Sequence, residues 1–460
     1  MNRRATFTLV IFFTLAAFFL RLFQVGTSDF KEEEFTSLKA AAYLTYCWQD
    51  PSNCRSTPTS FRSKLVVLLT NNETRPNLFS QVYLWDFIKD KASGIHYSRA
   101  WPYLTALAGV YRWLGVSEFS SRLISVVAGG LLIPVGFVFA KYFSGSTSLS
   151  LVYSFLLVFS FPLIDMSRYA RMYPPFITLF LLAVYLWHRL ISRERTQFGL
   201  ILITTIVTLL SYWLQSLTLL LLIGVYVYSW FKARRWFLIL STGLIGLTAL
   251  GDLAGVDVFR RQYLSLAWPP HWFYLTFPVW LGLVTLALKR QAYLLTITGA
   301  YLVILVFFTD RAPAAAYVLA LWPIMLWALL SWKRWLMVVT TTLILVQFIV
   351  GFNYLYRGRD GRAEITRAYA AIKDNFESGD KIYAVQLRDY YLGDLPPETE
   401  IIDLQVSSDP EFSGSGFVVW EEEKTTHLKP ETLEYIKTNF DYLGSGGVEI
   451  YRYNTVDGQN

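Results

Sequence analysis

"WPYLTALAGVYRWLG", residues 101–115, is the stretch on which the topology turns. It is apolar, but its 15 residues are short for a membrane-crossing helix, which needs about 20. Counted as a span, it would carry every later loop to the opposite side of a bilayer. Laid in the interface as an amphipathic helix, it leaves those loops in place, and Trp101, Tyr103, Tyr111 and Trp113 suit the headgroup level.

The charges around it choose between the two. Apolar runs long enough to cross a bilayer recur roughly at 5–25, 121–141, 148–165, 174–190, 197–213, 214–231, 236–252, 271–288, 291–308, 314–331 and 335–352, about eleven in all. With 101–115 in the interface, the basic clusters fall on alternate ends of successive helices. These are Arg3 and Arg4; Lys141; Arg189, Arg193 and Arg195; Lys232, Arg234 and Arg235; Lys289 and Arg290; and Lys333 and Arg334. All then share one side, which the positive-inside rule makes cytoplasmic. The acids Glu32–Glu34, Asp50, Asp86, Asp90, Glu118, Asp165, Asp257 and Asp310 take the other side.

Composition points the same way. Of 460 residues, 54% are hydrophobic and only 16% charged, against roughly 25% charged in a soluble domain. The expected fold class is a polytopic α-helical membrane protein. Its N-terminus is cytoplasmic, and its first helix is retained rather than cleaved as a signal peptide. The net charge of +7 does not indicate nucleic acid, because the basic residues of the membrane part sit in short loops with no basic stripe and no nucleic-acid motif. The two cysteines, Cys47 and Cys54, lie in one hydrophilic segment; they could close a small disulfide in an oxidising compartment or stay as two thiols.

Two hydrophilic regions are expected outside. The first is the loop 26–120, with interfacial helices, which completes a membrane domain spanning 1–356. The second is the tail 357–460, which holds 20 of the 34 acids against 11 Lys and Arg. The tail alternates helical and strand-like runs: "EITRAYAAIKDNF", "KIYAVQL", "EIIDLQV", "GFVVWE", "PETLEYIKTNF", "GVEIYRY". That order predicts a small α/β domain, and no G-x-G-x-x-G or P-loop marks a nucleotide site in it.

Four polar constellations share the outer side. Glu32, Glu33 and Glu34 follow the first helix; they suit either the solvated start of an interfacial helix or a carboxylate that activates a hydroxyl or amine for attack. His96 and Arg99 precede the interfacial helix and suit either a lipid phosphate or headgroup anchoring. Asp165, Arg168 and Arg171 lie between two membrane helices. At a spacing of three, the two arginines would share a face on a helical turn and suit a phosphate, or they would snorkel to the interface. Arg122, Asp257, Arg260, Arg261, Asp310 and Arg311 sit at helix mouths, where intramolecular ion pairs are the default. No metal-ligand set is visible, although a single divalent cation held by carboxylates stays open as the one cofactor candidate.

These residues resemble the GT-C superfamily of integral membrane glycosyltransferases. The chain looks most like prokaryotic relatives of the dolichyl-phosphate-mannose–protein mannosyltransferases and like the lipid A aminoarabinose transferases. The resemblance runs over about 1–455. "EEFTSL" is similar to the family's Asp-Glu context in the first outer loop, with Glu33 at the Asp position and Glu34 at the Glu position. "SEFSSRLISVVAGGLLIPVGFVFAKYF" (117–143) resembles the family's Ser-Glu-x-x-x-Arg-Leu-x-Ser helix opening, and "SRYARMY" (167–173) its Ser-Arg-Glu-Ala-Arg-Met-Tyr motif, with Tyr169 in place of Glu.

The resemblance implies transfer of a sugar from a polyprenyl-phosphate-linked donor, with inversion, to a protein, lipid or glycan acceptor on the outer face of the cytoplasmic membrane. It implies Glu33 as catalytic carboxylate beside Glu34. Arg99, His96, Arg168 and Arg171 become candidates for the donor phosphate, and Arg122, Asp165, Tyr173 and Arg311 stand as secondary candidates. Two other readings compete: a catalytically inactive GT-C-like scaffold, and a lipid or solute transporter. A transporter would carry ionisable residues near the bilayer midplane, and few mid-helix charges are present.

Overall fold

The computed structural model of the chain describes residues 2–23, 25, 34, 37, 38, 41, 45, 100–193, 197–215, 217–232, 239–245, 281–308, 318–332, 334–357, 364–384, 399, 401–403, 412–421, 428–444 and 448–455. The chain forms two compact units. The first comprises Met1–Val25, Gly94–Gly109 and Ser121–Asn353; the second comprises Gly26–Ser93, Val110–Ser120 and Tyr354–Asn460.

The protein is an integral membrane protein. Four described helices are long and apolar enough to cross a bilayer, or five if one bent pair is a single span. Helix α1 (Arg3–Leu22) opens on the Asn2 side chain, which accepts from the Arg4 N–H at 3.2 Å. Its flank shows Phe7, Phe12, Leu15 and Phe19 outward, while only Ala17 and Arg21, one turn apart, are buried. An apolar helix showing large side chains outward and a small residue inward suits lipid on one side and close helix packing on the other.

Helix α2 (Trp101–Leu114) is 14 residues long, which at 1.5 Å per residue gives about 21 Å, short of the roughly 30 Å hydrocarbon core. It buries Tyr103, Leu104, Leu107, Ala108 and Tyr111 along one stripe and leaves Trp113 exposed. Helix α3 (Glu118–Ser144) follows. It approaches α1 through two glycines: a Cβ on Gly130 would lie 2.6 Å from the Phe18 ring, and one on Gly129 would lie 2.8 Å from Arg21 Nε.

The run expected as one span over 148–165 is broken. Helices α4 (Thr147–Phe159) and α5 (Phe161–Ser167) meet at Ser160 with a bend of 54°. Pro162 is the cause: it has no N–H to give, and its ring excludes the carbonyl four residues back. Ser160 accepts from Trp322 Nε1 at 2.9 Å, which pins the bend.

Helix α6 (Tyr173–Ser192) starts on Pro174 and Pro175, where missing N–H groups cost nothing, and is buried over most of its length. Polar bonds tie it to its neighbours. Thr178 Oγ1 donates to Ala128 O of α3 at 2.9 Å. Trp187 Nε1 donates to Thr208 Oγ1 of α7 (Phe198–Leu214) at 3.0 Å. Tyr293 OH, on α9 (Ala292–Phe308), donates to Val184 O at 2.7 Å. Helix α8 (Thr218–Phe231) packs tightly on α9, since a Cβ on Gly224 would come within 2.8 Å of Ile297 Cα. Helix α10 (Trp322–Leu330) follows a turn at residues 319–321 and is buried throughout; Tyr153 OH of α4 donates to Pro323 O at 2.9 Å. Helix α11 (Arg334–Arg357) keeps an outward apolar stripe, from Val338 to Val350. The expected runs 236–252 and 271–288 fall largely outside the described residues.

In the second unit, helix α12 (Glu364–Asn375) precedes strand β1 (Lys381–Ala384), then β2 (Ile401–Asp403), β3 (Gly414–Glu421), helix α13 (Pro430–Asn439), β4 (Asp441–Tyr442) and β5 (Val448–Thr455). The sheet order is β2-β1-β3-β5-β4. β1 runs parallel to β2 and β3, while β5 runs antiparallel to β3 and β4. Central β3 buries three successive residues, Phe417, Val418 and Val419, as a strand covered on both faces must. A cluster of Tyr383, Val418, Leu428, Ile436, Phe440, Tyr451 and Tyr453 forms the core beside α13. Strand β4 was not expected from the sequence; two exposed residues carry no alternating pattern, and pairing to β5 alone defines it.

Candidate functional site

Within the first unit, three arginines distant in sequence converge on the C-terminal end of α1. Arg21 lies in its last turn, fully buried. Arg122, in the opening turns of α3, is 1% exposed and donates through Nη1 to Val25 O at 2.7 Å. Arg168, just after α5, is 5% exposed and donates through Nη1 to Phe23 O. A helix ends with carbonyls that lack intrahelical partners and with negative partial charge, so guanidinium groups are favoured there.

The segment joining α5 to α6 is not helical. Helix α5 stops at Ser167, and Arg168 caps it at φ −94° and ψ 6°. Residues 168–172 form turns and bends, so the shared helical face expected for Arg168 and Arg171 is corrected. Arg171 is half-buried; its Cζ lies 5.5 Å from the centre of the buried Tyr173 ring, within cation–π range. Its carbonyl accepts from Ser125 Oγ at 2.9 Å, and Ser125 Oγ lies 3.3 Å from Tyr103 OH. Helices α2 and α3 therefore hold the Arg171 backbone in place. Burial rules out simple snorkelling for Arg168, whose stem and head are both inside the protein.

Tyr169 reaches back to Asp165, its hydroxyl lying 3.1 and 3.2 Å from the two carboxylate oxygens. A phenol donor therefore stands where the resembled motif has a carboxylate, and the carboxylate on this turn comes from Asp165. Glu34 is fully buried. Glu32, Glu33, His96, Arg99 and Arg311 lie outside the described residues, as do Cys47 and Cys54. Among the described residues no group of three or more His, Cys, Asp or Glu could hold a metal ion.

Arg21 was not singled out from the sequence, although an arginine inside an otherwise apolar run is a signal in its own right. Its Nε donates to Ser167 Oγ at 3.4 Å and its Nη1 to Ala17 O at 3.2 Å, while Nη2 is buried with no hydrogen-bond partner among the described residues. Ser167 Oγ donates in turn to Leu163 O at 2.5 Å. Arg21 and Arg168 thus fasten the end of α1 to the turn 167–171.

The apolar helices of the first unit, with three buried arginines at the end of α1, define a polytopic helical membrane fold. The particular likeness is to ArnT from Cupriavidus metallidurans. Its apo structure superposes with a TM-score of 0.56 at 11% identity, covering 97% of this chain and 98% of that one. Its structure bound to undecaprenyl phosphate gives 0.56 at 12% identity, with both chains fully covered. At such identities the likeness is one of fold. No family model matches the sequence, and no curated protein matches it.

Proposed function

We propose that the protein is a glycosyltransferase that moves a sugar from a polyprenyl-phosphate-linked donor to an acceptor on the outer face of the cytoplasmic membrane. The observation that carries this reading is the gathering of Arg21, Arg122 and Arg168 at one end of α1, beside the turn bearing Arg171. Guanidinium groups suit a phosphate leaving group, whose charge grows as the glycosidic bond breaks. The full-length likeness to ArnT, which has been solved with undecaprenyl phosphate bound, supports the same donor class.

In this mechanism an acceptor hydroxyl or amine attacks the anomeric carbon from the face opposite the phosphate. The bond from that carbon to the phosphate oxygen breaks, polyprenyl phosphate leaves, and the configuration inverts. The acceptor proton passes to the Glu33 carboxylate, with Glu34 as its neighbour. Arg168 and Arg171, with Arg99 and His96, take the donor phosphate; Arg122, Asp165, Tyr173 and Arg311 are secondary candidates for the site. The polyprenyl tail lies along apolar helix surface among the membrane lipids. The tail 357–460 forms an α/β domain on the same outer side, and the acceptor is a protein, lipid or glycan.

Incubating protein-containing membranes with a panel of radiolabelled polyprenyl-phosphate sugars tests the reading. One label should leave the lipid, and Glu33→Gln should cut that transfer by at least ~10²-fold, the lower range for losing a general base, at unchanged protein level. Release of no label, or full activity in the Gln variant, would refute the assignment.

A further inference from the structure

Among the described residues, the fully buried guanidinium of Arg21 has two hydrogen-bond partners, both neutral: Ser167 Oγ and Ala17 O. Among the described residues no carboxylate pairs with it, and Nη2 has no acceptor. A buried charge without a counter-ion is costly, and removing ionic compensation from such a group is strongly destabilising. The surroundings nonetheless keep the arginine in place. Gly129 lacks the Cβ that would collide with Ser167 Oγ and stand 2.8 Å from Arg21 Nε. Ser167, immediately before Arg168, accepts from Arg21 while spending its own proton on Leu163 O.

Arginines lying wholly within the protein usually answer a carboxylate. This one, with no carboxylate partner among the described residues, instead puts positive charge beside Ser167, next to a turn that already carries Arg168 and Arg171. In a low-dielectric interior such a charge acts over several ångströms and is weakly screened by salt.

We infer that Arg21 is a positioning residue for a phosphate site at the turn 167–171, and that its buried charge is compensated when a lipid-linked phosphate occupies that turn. The inference rests on the reading above and adds to it the residue that sets the phosphate affinity. Arg21 acts in two ways: through Ser167 it holds the turn, and through its charge it stabilises the bound anion. A phosphate monoester or diester is the ligand class, whether on a polyprenyl chain or free.

The test is binding rather than turnover. Purified wild type, Arg21→Gln and Arg21→Lys are compared for affinity towards undecaprenyl phosphate, neutral undecaprenol and inorganic phosphate. Arg21→Gln should bind undecaprenyl phosphate about 10- to 100-fold more weakly and undecaprenol unchanged, while Arg21→Lys, which keeps the charge, stays within about threefold of wild type. Tight binding of inorganic phosphate would show that the headgroup alone is recognised; binding of the lipid form only would add the chain to the recognised group. A folded Gln variant with wild-type affinity overturns the inference. If that variant does not fold, the Lys variant decides, since a tenfold loss there removes the charge argument. A wild type that binds undecaprenyl phosphate without transferring sugar leaves this inference standing while the proposed activity falls. A wild type that binds no lipid phosphate ends both.

Discussion

Gly129 shows how one missing methyl group places a charge. The glycine lets α3 approach α1 until Arg21 and Ser167 meet across it, with no room for a side chain. Gly199, on α7, faces open space instead. Gly129→Ala should therefore overpack the contact and destabilise the protein by about 1–3 kcal/mol, read as a lower midpoint in detergent unfolding. Gly199→Ala should be neutral or slightly stabilising, since alanine is the better helix former. Equal midpoints for the two variants would mean that the contact yields freely. At this scale the sequence was partly legible. Neither the glycine pair of "SVVAGGLL" nor Arg21 was singled out from the sequence, because each takes its role only from the helix packed against it. Tyr169 could be seen to replace a motif carboxylate, but its bond to Asp165 could not be foreseen, because the helix ends between them.

Among the elements, the bent pair α4 and α5 deserves the closest test, since it delivers Ser167 and Arg168 to the end of α1. Proline breaks the helix locally, but the direction of the break is held from far away, by Trp322 Nε1 on the buried Ser160 hydroxyl. Cross-helix hydrogen bonds of this kind are worth about 0.6 kcal/mol on average in membranes. A double-mutant cycle of Trp322→Phe and Ser160→Ala should return a coupling of that order, whereas strictly additive effects would show that the bond contributes nothing. Apolar runs predicted where helices lie, as at 173–192 and 198–214, but missed the break in 148–165. Hydropathy averages over a window and passes over a single proline, and the bend direction depends on a residue 162 positions away.

For the whole molecule, the proposed orientation rests on loop charge. Single cysteines placed in the loop 192–196 should react with a membrane-impermeant thiol reagent only when the cytoplasmic side is opened. Cysteines in the tail 357–460 should react from outside in intact cells; the reverse pattern would overturn the assignment of sides. By itself the sequence determined that this is a membrane-spanning helical chain with a polar first loop and an acidic tail. Apolar content and loop charge are local properties, and the bilayer acts on each segment separately. The tertiary structure alone decided which arginines share a place. Arg168 meets a carbonyl 145 residues away, and Arg122 one 97 residues away. Every residue carries such a carbonyl, so no side-chain pattern could announce the partners; only the packing of α1 against α3 and α5 brings them together.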